Sequence, residues 1–156
     1  MKRFRQALLC LSLLLCGVAK GQIAPVPTTT PDSVVISLLT CSAGQEVWAQ
    51  YGHTALRVHN KATGSDLAVN YGVFDSSQPN FVLRFVFGLT DYSMGVIPME
   101  LFLKEYALEG RGVTEQVLNL TPKDKEAICK ALQDNARPEN VVYRYNFFYD
   151  NCTTRA

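Results

Sequence analysis

The alternation of apolar and polar positions divides the chain into short strand-like runs and a few helical stretches. Residues 34–39 are mostly apolar, with Val34, Val35, Ile36, Leu38 and Leu39, and predict a first strand. Residues 44–51 form a connection that carries Trp48. Residues 53–58 alternate strictly and predict a second strand. His53, Ala55 and Arg57 fall on one of its faces, and Thr54, Leu56 and Val58 on the other. Beyond a turn at 60–65, residues 67–74 read as the hairpin partner of that strand.

The second half is mixed. Residues 80–87 are apolar and aromatic, read equally as a short helix or a strand, and end at Gly88. Residues 91–97 predict a strand. Pro98 suits the first position of a helix that runs to Leu108 and stops at Gly110. Residues 113–120 alternate again as a strand. Thr121 and Asp124 resemble a capping box opening a helix to about Asn135, with Ile128, Ala131 and Leu132 on its apolar face. Pro138 precedes a final strand-like run, 141–147. The predicted class is α+β, an antiparallel sheet with packed helices.

The ends change this picture. Lys2, Arg3 and Arg5 precede a short apolar run, 7–18, and the small residues Ala19 and Gly21 flank Lys20. This is the layout of a cleaved export signal, residues 1–21, and the run is too short for a membrane span. Leu15 is too bulky for a lipoprotein site at Cys16. Residues 22–33, rich in Pro and Thr, read as a flexible leader, and residues 34–156 as one domain. Without residues 1–21 the basic side chains fall from 15 to 11, against 14 acidic ones. A mildly acidic chain has no clustered basic face, so no nucleic-acid partner is expected.

Three cysteines follow the signal: Cys41, Cys129 and Cys152. An odd number leaves at least one thiol unpaired within the chain. Cys129 lies in a predicted helix, between Ile128 and Lys130, and reads as a small core residue rather than a reactive one. Cys41 reads as core or as a partner for Cys129. No His/Cys spacing suggests a metal, and no cofactor is expected.

Cys152 is different. It follows the strand-like run 141–147 and stands among Asn151, Thr153 and Thr154, residues that cap helices. A thiol at a helix start is drawn toward thiolate. His53 opens an alternating strand far upstream. A Cys and a His brought together by a fold are the minimum set for thiol acyl chemistry. The plainer alternative makes Cys152 a packing thiol and His53 a surface histidine. Of the two histidines, His59 lies about 20 Å of extended chain beyond His53, so only one can reach the sulfur.

The runs Leu39-Thr40-Cys41-Ser42-Ala43-Gly44-Gln45-Glu46, Tyr51-Gly52-His53-Thr54-Ala55-Leu56-Arg57-Val58, Asn70-Tyr71-Gly72-Val73-Phe74-Asp75, Phe87-Gly88-Leu89-Thr90-Asp91-Tyr92 and Tyr145-Asn146-Phe147-Phe148-Tyr149-Asp150-Asn151-Cys152-Thr153-Thr154-Arg155 resemble the Lnb N-terminal periplasmic domain family. The resemblance implies a circularly permuted papain-like, NlpC-type thiol-enzyme fold, in which the His strand precedes the Cys helix. It implies an exported, periplasmic domain, membrane-associated through a further C-terminal part. It also implies acyl transfer from a phospholipid donor to a lipoprotein amino terminus through a Cys thioester. Cys152 is then the nucleophile and His53 its base. A polar side chain should fix the far ring nitrogen, and the neighbouring strand offers Asn70, favoured over Asp75, although Asn70 reads equally as a turn or ladder amide. Tyr51 reads either as an added hydroxyl or as ordinary aromatic packing, and Asn151 and the Cys152 N–H would support the site.

The same pair also suits a Cys/His peptidase or thioester hydrolase. A non-enzymatic periplasmic binding module remains a third reading. The aromatic run 81–87 either lines an acyl groove, touches a membrane or belongs to the core. Because only four residues follow Cys152, the chain reads as a fragment truncated at the Cys helix. On that reading residues 22–156 alone are inactive and the thiol stays near its ordinary pKa, about 8.5.

Overall fold

A computed structural model describes residues 31–156. The expected export signal, and the expected leader up to residue 30, lie outside the described residues. The leader's last residues, Pro31–Ser33, form a 3-10 turn against a later helix rather than a loose tail.

Among the described residues six strands form one open antiparallel sheet: β1 (Val34–Cys41), β2 (His53–Asn60), β3 (Ser65–Val73), β4 (Asp91–Pro98), β5 (Val113–Val117) and β6 (Val142–Arg144). Their order is β5-β1-β2-β3-β4-β6. Four α-helices accompany them: α1 (Phe81–Val86), α2 (Met99–Leu108), α3 (Pro122–Asn135) and α4 (Cys152–Arg155). The class is α+β, as the alternation predicts.

Each face of the sheet has its own core. Ile36, Leu56, Val58, Val69 and Met94 pack with Leu132, Ile128 and Cys129 of α3. Leu39, Cys41, Ala55 and Ala68 pack with Met99, Phe102 and Tyr106 of α2. The strict alternation of β2 decides this division, because Ala55 and Leu56 must point opposite ways. It also settles the cysteines. Cys41 and Cys129 belong to cores on opposite faces, with the sheet between them, and both are free.

The differences from the sequence reading lie at boundaries. Residues 81–86 choose the helix, and Phe81 is its buried residue, packed on Trp48 and Phe74. Pro98 closes β4 and sits at the N-cap of α2 rather than inside its first turn. β5 covers Val113–Val117 rather than the whole of 113–120, although the Leu118 N–H still donates to the Ile36 carbonyl one step further along β1. β6 is only three residues long; beyond it Asn146 pairs back on Asp150, pinching residues 146–150 into a tight loop. The capping box of α3 forms in both directions between Thr121 and Asp124.

Phe102 is fully buried beneath Cys41, the end of β1 opposite His53, and Ala55, two residues along β2 from it. Phe102→Ala should cost about 3–5 kcal/mol of stability, read as a lower urea midpoint at unchanged slope. A loss below about 1 kcal/mol would contradict this packing.

Candidate active site

One end of the sheet gathers the chemistry. The last residue of β1 (Cys41), the first of β2 (His53) and the end of β3 (Asn70 to Val73) meet there, and α4 lies against β2 and β3. Gly52 holds φ at +75°, and a Cβ on it would stand 2.6 Å from the Cys41 carbonyl oxygen. Only glycine makes that turn comfortably, and it delivers His53 to the first position of β2.

The His53 ring is fixed by Asn70. Its Nε2 lies 2.6 Å from Asn70 Oδ1. The same oxygen accepts the Gly72 backbone N–H at 2.8 Å. A backbone N–H can only donate, so the amide atom facing both groups is the oxygen. Nε2 must then be the protonated nitrogen of the neutral ring, which leaves the Nδ1 lone pair for the remaining partner. The neighbouring group placed to use it is Cys152, whose thiol lies close enough to the ring for His53 to lower it. The β3–β4 register slips between Asn70 and Val73, and this irregularity brings Gly72 under the ring. A Cβ at position 72 would stand 2.6 Å from His53 Cε1 and 2.9 Å from Asn70 Oδ1.

Cys152 is the first residue of α4. Asn151 caps the turn: its side chain accepts from the N–H groups of Thr153 (2.9 Å) and Thr154 (3.2 Å), and Thr154 Oγ1 accepts the Asn151 N–H. Among the described residues no acceptor engages the Cys152 N–H. Burial pushes the thiol up. The hydrogen bond and charge of His53, the Thr54 backbone and the Thr153 hydroxyl outweigh it and bring the thiol down to about 7. The drop comes from these neighbours rather than from a long helix dipole, since α4 is a single turn. The expected loss of this turn, with a thiol near about 8.5, is not what the structure shows. The Asn151 box and an Arg155–Asp150 ion pair hold it.

The other candidates fall elsewhere. Asp75 is exposed and accepts from the N–H and hydroxyl of Ser77, so it shapes a turn and does not touch His53. Tyr51 is 79% exposed at the cavity mouth, its ring 4.9 Å from that of Phe147. His59, at the far end of β2, lies opposite Asp66 and apart from the sulfur. Burial pushes the thiols of Cys41 and Cys129 up, in the opposite sense to Cys152. Thr54, Thr153 and Gly72 escaped the sequence reading. Only the phase of Gly72, two residues past Asn70 on the His53 face, marked any of them.

A cavity of about 940 Å³ opens over His53 and Cys152. Aromatic rings form one wall. Phe74 stacks on Tyr92 at 4.7 Å, Tyr92 on Tyr145 at 4.4 Å, and Tyr145 on Phe85 at 5.4 Å. Glu105, Glu109 and Arg111 line the polar side. Among the described residues no cluster of His, Cys, Asp or Glu is placed to hold a metal, and no helix is long and apolar enough to cross a membrane.

The model of the Lnb N-terminal periplasmic domain family matches residues 26–156. The chain belongs to that family. No curated protein and no solved structure matches it. An exported, periplasmic setting follows from membership. All five runs that carried the resemblance fall inside the matched region of this Lnb N-terminal domain.

Thiolate is the reactive form, so alkylation of Cys152 should rise with pH through a midpoint near 7 and fall away below it. Cys41 and Cys129 should label far more slowly. Gly72→Ala should move the Cys152 midpoint upward by displacing the ring. A Gly72→Ala protein with an unmoved midpoint would show that the close approach to His53 is unimportant.

Proposed function

We propose that this domain is a Cys/His acyltransferase, which moves an acyl chain from a phospholipid to the amino terminus of a lipoprotein through a Cys152 thioester. One observation carries the reading: a thiol lowered to about 7 faces a histidine whose far nitrogen is held by Asn70, at the floor of an aromatic-walled cavity. His53 opening β2 and Cys152 opening α4 follow the order of a circularly permuted papain-like, NlpC-type fold.

The chemistry balances with these groups. His53 Nδ1 takes the Cys152 proton, and Sγ attacks the ester carbonyl carbon. The Cys152 N–H, having no acceptor among the described residues, faces the developing oxyanion. His53 returns the proton to the leaving alkoxide as the C–O bond breaks, and a thioester remains. An incoming amine then attacks, gives its proton to His53 and releases the sulfur. Water in place of the amine would make the same site a hydrolase.

The apolar surroundings suit a lipid. Phe85 lines the cavity, while Leu83, Val86 and Phe87 of the same region, and Phe148 beside the cavity-lining Phe147, stay exposed. Exposed apolar side chains clustered around a cavity mark a binding surface, here one that would rest on the membrane holding the donor and acceptor.

Intact-mass measurement after incubation with phospholipid vesicles tests the proposal. An acyl adduct on Cys152, discharged to a lipoprotein-like peptide amine, is expected. His53→Ala should lower adduct formation by roughly 10²–10⁴-fold, while His59→Ala leaves it nearly intact. Discharge to water alone would make it a hydrolase. The absence of any adduct, with Cys152 still alkylated normally, would favour a binding module.

A further inference from the structure

The turn that carries Cys152 is four residues long. A helix of that length cannot support itself, because nucleation fixes several dihedrals for few hydrogen bonds. The Asn151 box secures its start. Its far end is secured by Arg155. The Arg155 Nε and Nη2 both donate to the Asp150 carboxylate, the latter at 2.7 Å. The guanidinium carbon also lies 3.8 Å from the centre of the Tyr143 ring.

Both supports are themselves fixed. The Asp150 N–H and carbonyl pair with Asn146 at 3.0 and 2.7 Å. Tyr143 is buried in β6, and its hydroxyl donates to the Tyr71 carbonyl. Tyr71 stands between Asn70, which holds His53, and Gly72, which lies under the ring. Asn135 Nδ2 donates to the Tyr71 hydroxyl at 2.8 Å, tying that point to α3. The path from Arg155 through Tyr143 to Tyr71 therefore connects the turn bearing the thiol to the strand segment bearing the histidine's partner.

We propose that Arg155 is a positioning residue, which sets the Cys152 sulfur against His53 by clamping α4 to Asp150 and to the Tyr143 ring. The inference rests on Cys152 being the reactive thiol. Its role is geometric. Asp150 neutralises the Arg155 charge, and the thiol is lowered by His53, Thr54 and Thr153 rather than by the guanidinium. Lysine keeps the charge but has neither the planar fork nor the stacking face.

The test is the pH profile of Cys152 alkylation in the wild type, Arg155→Lys and Asp150→Asn, beside a urea unfolding curve for each. Clamping predicts that both substitutions raise the midpoint, Arg155→Lys by about one unit toward the ordinary value near 8.5. A purely electrostatic Arg155 predicts otherwise: no change for Arg155→Lys, and a lower midpoint for Asp150→Asn, which uncovers the positive charge. Either of those outcomes overturns the inference. So does a loss of stability with both midpoints in place, the mark of a merely structural residue. A wild-type midpoint already near about 8.5 overturns the reading of Cys152 and this inference with it.

Discussion

The site depends on a single oxygen. Asn70 Oδ1 takes the Gly72 N–H and the His53 Nε2–H at once. The first contact makes the amide orientation unambiguous, and the second fixes which ring nitrogen is left to meet a thiol. Rotating the amide would set its NH₂ against a backbone donor and leave both groups unsatisfied in a half-buried place, at a cost of about 1–3 kcal/mol each. The tautomer of His53 is thus set by the geometry of β3.

The fold explains why these groups converge. In this antiparallel sheet the end of β1, the start of β2 and the end of β3 meet at one end of the sheet, so His53 and Asn70 become neighbours although 17 residues apart. Two glycines make room: Gly52 for the turn into β2, and Gly72 for the ring. The last connection then bends through residues 146–150 and sets α4 over that edge. Aromatic stacking supplies rigidity around it, each ring pair contributing about 0.5–1.5 kcal/mol beyond burial. His53 and Cys152 stand on strand and helix ends, while the cavity wall comes from α1, β4 and the segment after β6.

Much of this was legible in the chain. The period-two pattern of residues 53–58 gave the faces of β2 correctly, and with them the side on which His53 lies. The Thr121/Asp124 signal gave the start of α3, because capping is local and its residues are adjacent. Asn70 was legible as a polar residue on the neighbouring strand, whereas Asp75, three residues beyond Gly72, had left the sheet for a turn with Ser77. What could not be read is long-range. Nothing near Arg155 announces Tyr143, and nothing near Thr54 announces Thr153, 99 residues away. The final strand was overestimated for a related reason. Residues 145–147 have strand-like composition, but the Asn146–Asp150 pairing competes for their backbone groups and wins. The depressed thiol was foreseen from a helix dipole, yet a one-turn helix supplies little; the side chain and backbone of the neighbouring strand do most of the lowering.

The central claim is that His53 offers Nδ1 to the Cys152 sulfur while Asn70 holds Nε2–H. Nitrogen-15 spectra of histidine-labelled protein measure this directly, since protonated and unprotonated ring nitrogens differ widely in shift. The neutral His53 ring should appear as the Nε2–H tautomer, and alkylation of Cys152 should move the Nδ1 resonance of His53 while leaving His59 in place. A Nδ1–H tautomer, or a His53 spectrum indifferent to the state of Cys152, would contradict the account.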